Sequence, residues 1–171
     1  MAEGVPSAWS RIALITVPAI IVVGDVIGFL SQSGFRNRWF AGLIKPFFMP
    51  PGWLFGIAWN ILYALMGISL AMVLAEPKSP RRTSALILFL VQLALNYAWS
   101  PIFFAAHDIS LGKVVIFIMT AIAAAAAGQF MRIRKSAGLL LIPYLAWLVF
   151  AATLNSSIDL LNPGAGKSLF G

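Results

Sequence analysis

Phe55, Trp59 and Tyr63 recur at i, i+4 and i+8 within an apolar stretch, a spacing that on a helix lines three rings along one face. Trp and Tyr each join an apolar body to a polar tip, so such a face can hold a flat, mostly apolar ligand. A second apolar stretch carries Gln92, Asn96 and Trp99 at i, i+4 and i+7. Two amides and an indole N–H on one stripe can satisfy each other across helices or orient a ligand's polar edge. In a third stretch Pro143, Trp147, Ala151 and Asn155 fall four residues apart, with Leu154 beside them. The small Ala151, one turn past a Trp, leaves room for a neighbouring helix or for a ligand. The chemistry these types suit is non-covalent recognition of an aromatic guest. The rings equally suit an interfacial belt or helix packing, and taken alone they leave both readings open.

The elements that must position these residues are long apolar helices. Of 171 residues, 61% are hydrophobic and 10% charged, where a soluble domain carries nearer a quarter charged. Several apolar runs reach the roughly 20 residues that cross a bilayer as a helix. The fold class expected is an all-α integral membrane protein, a single domain over 1–171 built as a bundle of five transmembrane helices. The spans are expected at about 11–31, 53–75, 83–106, 111–131 and 136–161. The first is read as a span and not as a signal peptide, because its apolar run is long and no small-residue cleavage site follows. The longest connection, 32–52, holds Arg36, Arg38, Trp39, Phe40 and Lys45 and runs through Pro50 and Pro51 into span two. Proline lacks an N–H and fixes φ, which suits the start of a helix. Ser100 and Pro101 are expected to loosen span three near its end, and the smooth AIAAAAAG run at 121–128 reads as packing or self-association.

The remaining polar groups narrow the function. The chain has no cysteine, which excludes disulfides, thiol catalysis and thiolate metal sites. No Ser/His/Asp elbow, phosphate loop or HExxH is present, and no metal site is expected around the lone His107. The net charge of +7 lies in short loops, which suits lipid headgroups as partners and not nucleic acid. Arg11, Lys78, Arg81, Arg82, Arg132, Arg134 and Lys135 on the N-terminal side outnumber Arg36, Arg38, Lys45, Lys113 and Lys167 on the other, which favours a cytoplasmic N-terminus. Asp25, the one acid well inside a span, could serve proton or cation handling, but is expected instead to reach interfacial water or to pair with Arg36 or Arg38.

Three long motifs carry a family resemblance. RWFAGLIKPFFMPPGWLFGIAWNILYALMG, QLALNYAWSPIFF and PYLAWLVFAATLN together resemble the tryptophan-rich sensory protein / translocator protein family, also called the peripheral benzodiazepine receptor. The resemblance implies a five-helix bundle, commonly dimeric, with a pocket closed by the loop between helices 1 and 2 acting as a lid. It implies a membrane receptor or sensor that binds porphyrins such as protoporphyrin IX and isoquinoline- or benzodiazepine-like ligands, with no tightly bound cofactor. Light-dependent porphyrin degradation and transport of porphyrin or sterol are the alternatives it brings.

Residue by residue, Trp59 and Trp147 match the family's two pocket tryptophans and are its candidate redox residues. Trp39 matches a loop position, with Phe40 where a Tyr is usual; Phe48 stands where a Trp is common. Asn96 and Trp99 match the pocket face of helix three, one turn after Gln92, and Ala151 matches a position that alters ligand response in relatives. The ligand-binding set expected is therefore Trp39, Phe40, Pro51, Phe55, Trp59, Tyr63, Gln92, Asn96, Trp99, Pro143, Trp147, Ala151 and Leu154, with Arg36, Arg38 or Lys45 meeting propionates. No basic residue follows Tyr144 until Lys167, so the C-terminal sterol-recognition pattern of animal members is missing. That tilts the expected location to a bacterial cell-envelope membrane, or the mitochondrial outer membrane in a eukaryote. A homodimer through small-residue faces such as Ala94/Ala98 or Ala124/Gly128 is expected.

Overall fold

A computed structural model describes residues 7–166. Lys167, counted above in the charge balance, lies outside the described residues. Among the described residues five helical segments are long and apolar enough to cross a membrane. They are α1 (Ala8–Leu30), α3 (Gly52–Leu74), α4 (Pro80–Ser100) with the turn that extends it, α5 (Ile109–Ile133), and α6 (Lys135–Leu139) with α7 (Ile142–Leu161). The short α2 (Arg38–Gly42) lies in the connection between α1 and α3. The chain is an all-α, multi-pass integral membrane protein, because in hydrocarbon only a helix satisfies its own backbone polar groups.

Proline and polar side chains explain where helices start, stop and bend. Pro51, with φ −62° and ψ 145°, is the residue before α3 begins. Ser79 and Asp108 cap α4 and α5 by accepting from Arg82 N and Leu111 N, as short oxygen-bearing side chains do at a helix start. Arg82 in turn donates to Val73 O and Leu74 O, closing the last carbonyls of α3. Span three differs from expectation: α4 stops at Ser100, and Pro101–Ala105 form a π-helical turn, with Ala106 N donating to Pro101 O at 2.9 Å. Such wide turns interrupt α-helices frequently at functional sites. Span five is also not one helix. It breaks at Leu140 and Leu141, just before Pro143, which has no N–H to continue the ladder.

Packing is closest where glycine allows it. α1 lies along α3, and a Cβ on Gly67 would sit 2.6 Å from Val17 Cα while one on Gly24 would sit 2.2 Å from the Tyr63 ring. α5 packs against α4 and α7 through the alanine-rich run, where Ala123, Ala126 and Ala127 are buried and Phe130 stacks on Phe89 at 5.4 Å. Ala124 and Gly128 of the same run face outwards and are exposed. Among the described residues two ion pairs tie the ends, Lys113 with Asp159 and Arg134 with Glu76. Asp25 pairs with neither arginine: it is exposed and accepts from Asn60 Nδ2 at 3.4 Å.

The glycine seam gives a stability prediction. Gly67→Val forces a side chain into the α1 backbone, and overpacking of this kind costs about 1–3 kcal/mol. Gly56→Ala meets nothing within 4 Å. Thermal unfolding in detergent should show a lowered midpoint for Gly67→Val and a parental one for Gly56→Ala; equal midpoints would contradict the seam.

Candidate functional site

A cavity of about 700 Å³ runs from a floor between α3, α4 and α7 to the connection 31–51. The wall from α3 carries Phe55, Trp59 and Tyr63, and the wall from α7 carries Trp147, Ala151, Leu154 and Asn155. Both sets run down one face at the spacing noted in the sequence. Across the cavity Phe55 meets Trp147 edge-on at 5.7 Å, and Trp59 meets Trp147 at 6.4 Å with an interplanar angle of 82°. Trp59 lies 5.3 Å from Tyr63. α4 and the π-helical turn add Asn96, Trp99, Phe103 and Phe104, with Trp99 and Phe103 stacked at 4.9 Å. The wider turn brings Phe103 and Phe104 to the same wall as Trp99.

The floor is a hydrogen-bonded chain. Tyr63 Oη donates to Asn96 Oδ1 at 2.8 Å, Asn96 Nδ2 donates to Tyr144 Oη at 3.3 Å, and Tyr144 Oη donates to Gln92 Oε1 at 2.7 Å. All four residues are buried. Each hydroxyl and amide finds a partner, as burial away from water demands. Two polar atoms in the walls do not. Among the described residues the Trp147 indole N–H and Asn155 Oδ1 have no hydrogen-bond partner, although Asn155 Nδ2 donates to Ile109 O at 3.1 Å. Trp99 is different, since its Nε1 donates to Gly112 O at 3.1 Å.

The connection lies over this end of the bundle and contributes Gln32, Ser33, Phe35, Arg36, Phe40 and Met49 to the cavity wall. Asn37 holds it in two ways, accepting from Phe40 N to start α2 and donating to Phe104 O at 2.8 Å. Asn162 pairs with both backbone groups of Ile44, at 2.7 and 2.8 Å. Phe40 is buried against Phe103 and Phe104, so a tyrosine hydroxyl here would need a partner among phenyl rings.

Nine of the thirteen expected ligand residues come together on the cavity wall: Phe40, Phe55, Trp59, Tyr63, Asn96, Trp99, Trp147, Ala151 and Leu154. Four do not. Trp39 turns away, donating to Ala165 O at 3.0 Å and stacking on His107 at 4.4 Å, so it fastens the connection to the C-terminal segment. Pro51 is exposed at the start of α3 and Pro143 is exposed on the outer side of α7. Gln92 is buried at the deep end of the floor chain, committed to Tyr144 and off the cavity wall. Lys45 is also not free to meet a ligand acid: its ammonium donates to Phe40 O, Ala41 O and Leu43 O at the end of α2. Arg36 lines both this cavity and a second, more open hollow of about 620 Å³, which Arg38 and Trp39 line without reaching the first. Sequence reasoning passed over Tyr144 and Tyr97 as site residues. The signal was available for the first, since two buried amides in one span require partners of their own.

Tyr144→Phe removes the hydroxyl that serves both Gln92 and Asn96, leaving buried amide atoms unpaired at a cost of about 1–3 kcal/mol. Thermal unfolding should show a clear drop for Tyr144→Phe, larger than for Tyr97→Phe, whose half-buried hydroxyl only donates to Ile20 O. A parental midpoint for Tyr144→Phe would remove the floor's structural role.

Comparison with known proteins agrees with this architecture. The profile of the TspO/MBR family matches residues 14–161. The chain is 37% identical over 147 residues to the tryptophan-rich protein TspO of Archaeoglobus fulgidus, covering 86% of this chain and 94% of that one. It is 38% identical over 135 residues to the translocator protein of Homo sapiens, covering 78% and 80%. With protein CrtK of Rhodobacter capsulatus it shares 37% identity over 129 residues, covering 75% and 81%. With five membrane-spanning helices and a match over nearly its whole membrane region, the chain belongs to the TspO/MBR family.

Proposed function

We propose that this protein is a membrane receptor for flat, largely apolar ligands, with tetrapyrroles of the protoporphyrin IX type as its principal guests and isoquinoline- or benzodiazepine-like molecules as further ones. The observation that carries the reading is the ring of Trp59, Trp99, Trp147, Phe55 and Tyr63 around one cavity of about 700 Å³, within the range of small-molecule sites. Aromatic walls meet a planar guest by stacking and edge contacts. Arg36 on the wall beneath the connection supplies positive charge for propionates. The connection then serves as a lid, held down by Asn37, Trp39 and Asn162. The name tryptophan-rich sensory protein, carried by a relative from Cereibacter sphaeroides at 35% identity, is consistent with a sensing role. The outward-facing Ala124 and Gly128 are the surface on which a homodimer would form.

Titration with protoporphyrin IX should quench the protein's tryptophan fluorescence saturably. Trp59→Phe and Trp147→Phe, which alter the facing walls, should weaken binding about tenfold each, the size of one to two lost aromatic contacts. Trp39→Phe should leave the affinity near parental. Absence of saturable quenching, or equal affinities for parent, Trp59→Phe and Trp147→Phe, would refute the proposal.

A second reading has its own observation. Trp59 and Trp147 meet edge-on at 6.4 Å, so a porphyrin resting against the pair would touch both; photoexcited, it would give one electron to dioxygen, directly or through Trp147, and the porphyrin radical cation and superoxide would combine, both oxygen atoms ending in the product. Illumination of the complex in air should then yield a new absorbing product in the parent and none in Trp147→Phe. Bleaching at the rate seen for porphyrin in detergent alone would dismiss the enzymatic reading while leaving binding intact.

A further inference from the structure

At the connection end of the bundle two cations lack a counter-charge. Lys45 is held by three carbonyls and Lys113 is paired with Asp159. Arg36 and Arg38 are exposed, and neither has an ion pair among the described residues. Both line the second hollow, about 620 Å³, between the end of α1, the connection and the turn before α5. None of the described acids lines it. Glu76 and Asp159 are paired with Arg134 and Lys113, Asp108 caps α5, and Asp25 lies on the main cavity. The last carbonyls of α1, at Ile27, Gly28 and Phe29, are likewise taken, by the N–H groups of Ser31, Ser33 and Gln32. Two guanidiniums lining one hollow that holds no carboxylate make a seat for an oxyanion, which each planar fork can meet with paired donors.

The backbone around the hollow adds to this. Gln32, with φ 52°, and His107, with φ 59°, are the non-glycine residues of positive φ among the described residues, and both line the hollow. Each follows a helix end, one after α1 and one after the π-helical turn, where glycine commonly takes the left-handed conformation. Here an amide and an imidazole stand instead, and both can donate to an oxygen. Backbone held in this way gathers at sites that clamp a ligand. Trp39 stacks on the His107 ring at 4.4 Å and sets its place in the wall.

The hollow also lies where a membrane span ends. α1 spans as far as Leu30, and Leu30, Phe104 and Ala105 give the hollow an apolar side. Leu30 is 73% exposed as well, so the hollow borders the outer surface of that span. We propose that this hollow binds the phosphate of an anionic phospholipid, held between Arg36 and Arg38, with the acyl chains leaving past Leu30 into the bilayer. Gln32 and His107 supply further donors to the head group. A head of net negative charge is favoured over phosphatidylcholine, whose ammonium offsets its own phosphate. The site goes beyond the porphyrin reading and does not rest on it. Arg36 lines both chambers, but Arg38 lines this one alone.

Dioctanoyl phosphatidylglycerol and dioctanoyl phosphatidylcholine are titrated into the detergent-solubilised protein, and bound lipid is counted by native mass spectrometry. The parent should bind phosphatidylglycerol saturably and ahead of phosphatidylcholine. Arg38→Gln should weaken that binding about fivefold, and Arg36→Gln with Arg38→Gln about thirtyfold, the size of the attraction between an anionic head and each nearby arginine. Thermal midpoints should stay parental, since both side chains are exposed and unpaired. Arg81→Gln with Arg132→Gln removes the same charge from exposed residues at the other end of the bundle and should bind as the parent does. Equal losses in the two double variants, parental binding without Arg36 and Arg38, or equal affinity for the two lipids would overturn the site. Glycerophosphoglycerol, the same phosphodiester without acyl chains, should fail to displace the lipid at equal concentration. Displacement would overturn the lipid assignment in favour of a soluble phosphate ester.

Discussion

The hydrogen-bonded chain from Tyr63 through Asn96 and Tyr144 to Gln92 is the constraint on which the rest of the bundle depends. It joins α3, α4 and α7 at one level of the membrane, where an unpaired hydroxyl or amide would find no water. Below that level the helices can close on Gly67, Ser69 and the alanines of α5, with Ser69 Oγ donating to Ala137 O at 2.7 Å. Above it lies the cavity, bounded by rings. The same Tyr63 that begins the chain stacks obliquely under Trp59 and lies against Gly24. One residue thus joins the floor of the cavity, its main tryptophan and the close approach of α1 at Gly24.

The upper end is governed by backbone satisfaction in an irregular segment. The connection 31–51 has few regular hydrogen bonds of its own, and its orphan groups are met by side chains. Lys45 answers three carbonyls, Asn37 starts α2, and Asn162 reaches over from the end of α7 to Ile44. Basic residues near a membrane surface are commonly assigned to headgroups. Here Lys45 and Arg82 are instead built into helix ends, which leaves Arg36 as the cation that lines the main cavity.

Much of this was legible from the residues, for a definable reason. Length and apolarity fix membrane helices almost without context, so the five spans emerged close to their places. The facing stripes on α3 and α7 followed from spacing of four. What spacing cannot give is which residues a polar side chain reaches. Gln92 shares a stripe with Asn96, yet it lies one turn too deep to touch the cavity. Trp39 fits a recognisable motif, yet its indole is spent on Ala165 O, a partner 126 residues away in sequence. The loosening at Pro101 was signalled by Ser100 and Pro101, though not that it becomes a π-helical turn, and the gap of two residues before Pro143 was not expected. The role of Gly24 could be known only once Tyr63 was seen lying against it.

The account's central claim is that the tryptophan-lined cavity holds one planar macrocycle in a fixed orientation between α3 and α7. Circular dichroism in the Soret region tests it most directly, because protoporphyrin IX is achiral and acquires a signal only when held among asymmetrically placed rings. The account predicts an induced band that saturates at one porphyrin per chain and collapses when Trp59 and Trp147 are both replaced by Phe. A porphyrin that partitions into the protein's membrane environment with no induced band, or with one indifferent to those two residues, would contradict it.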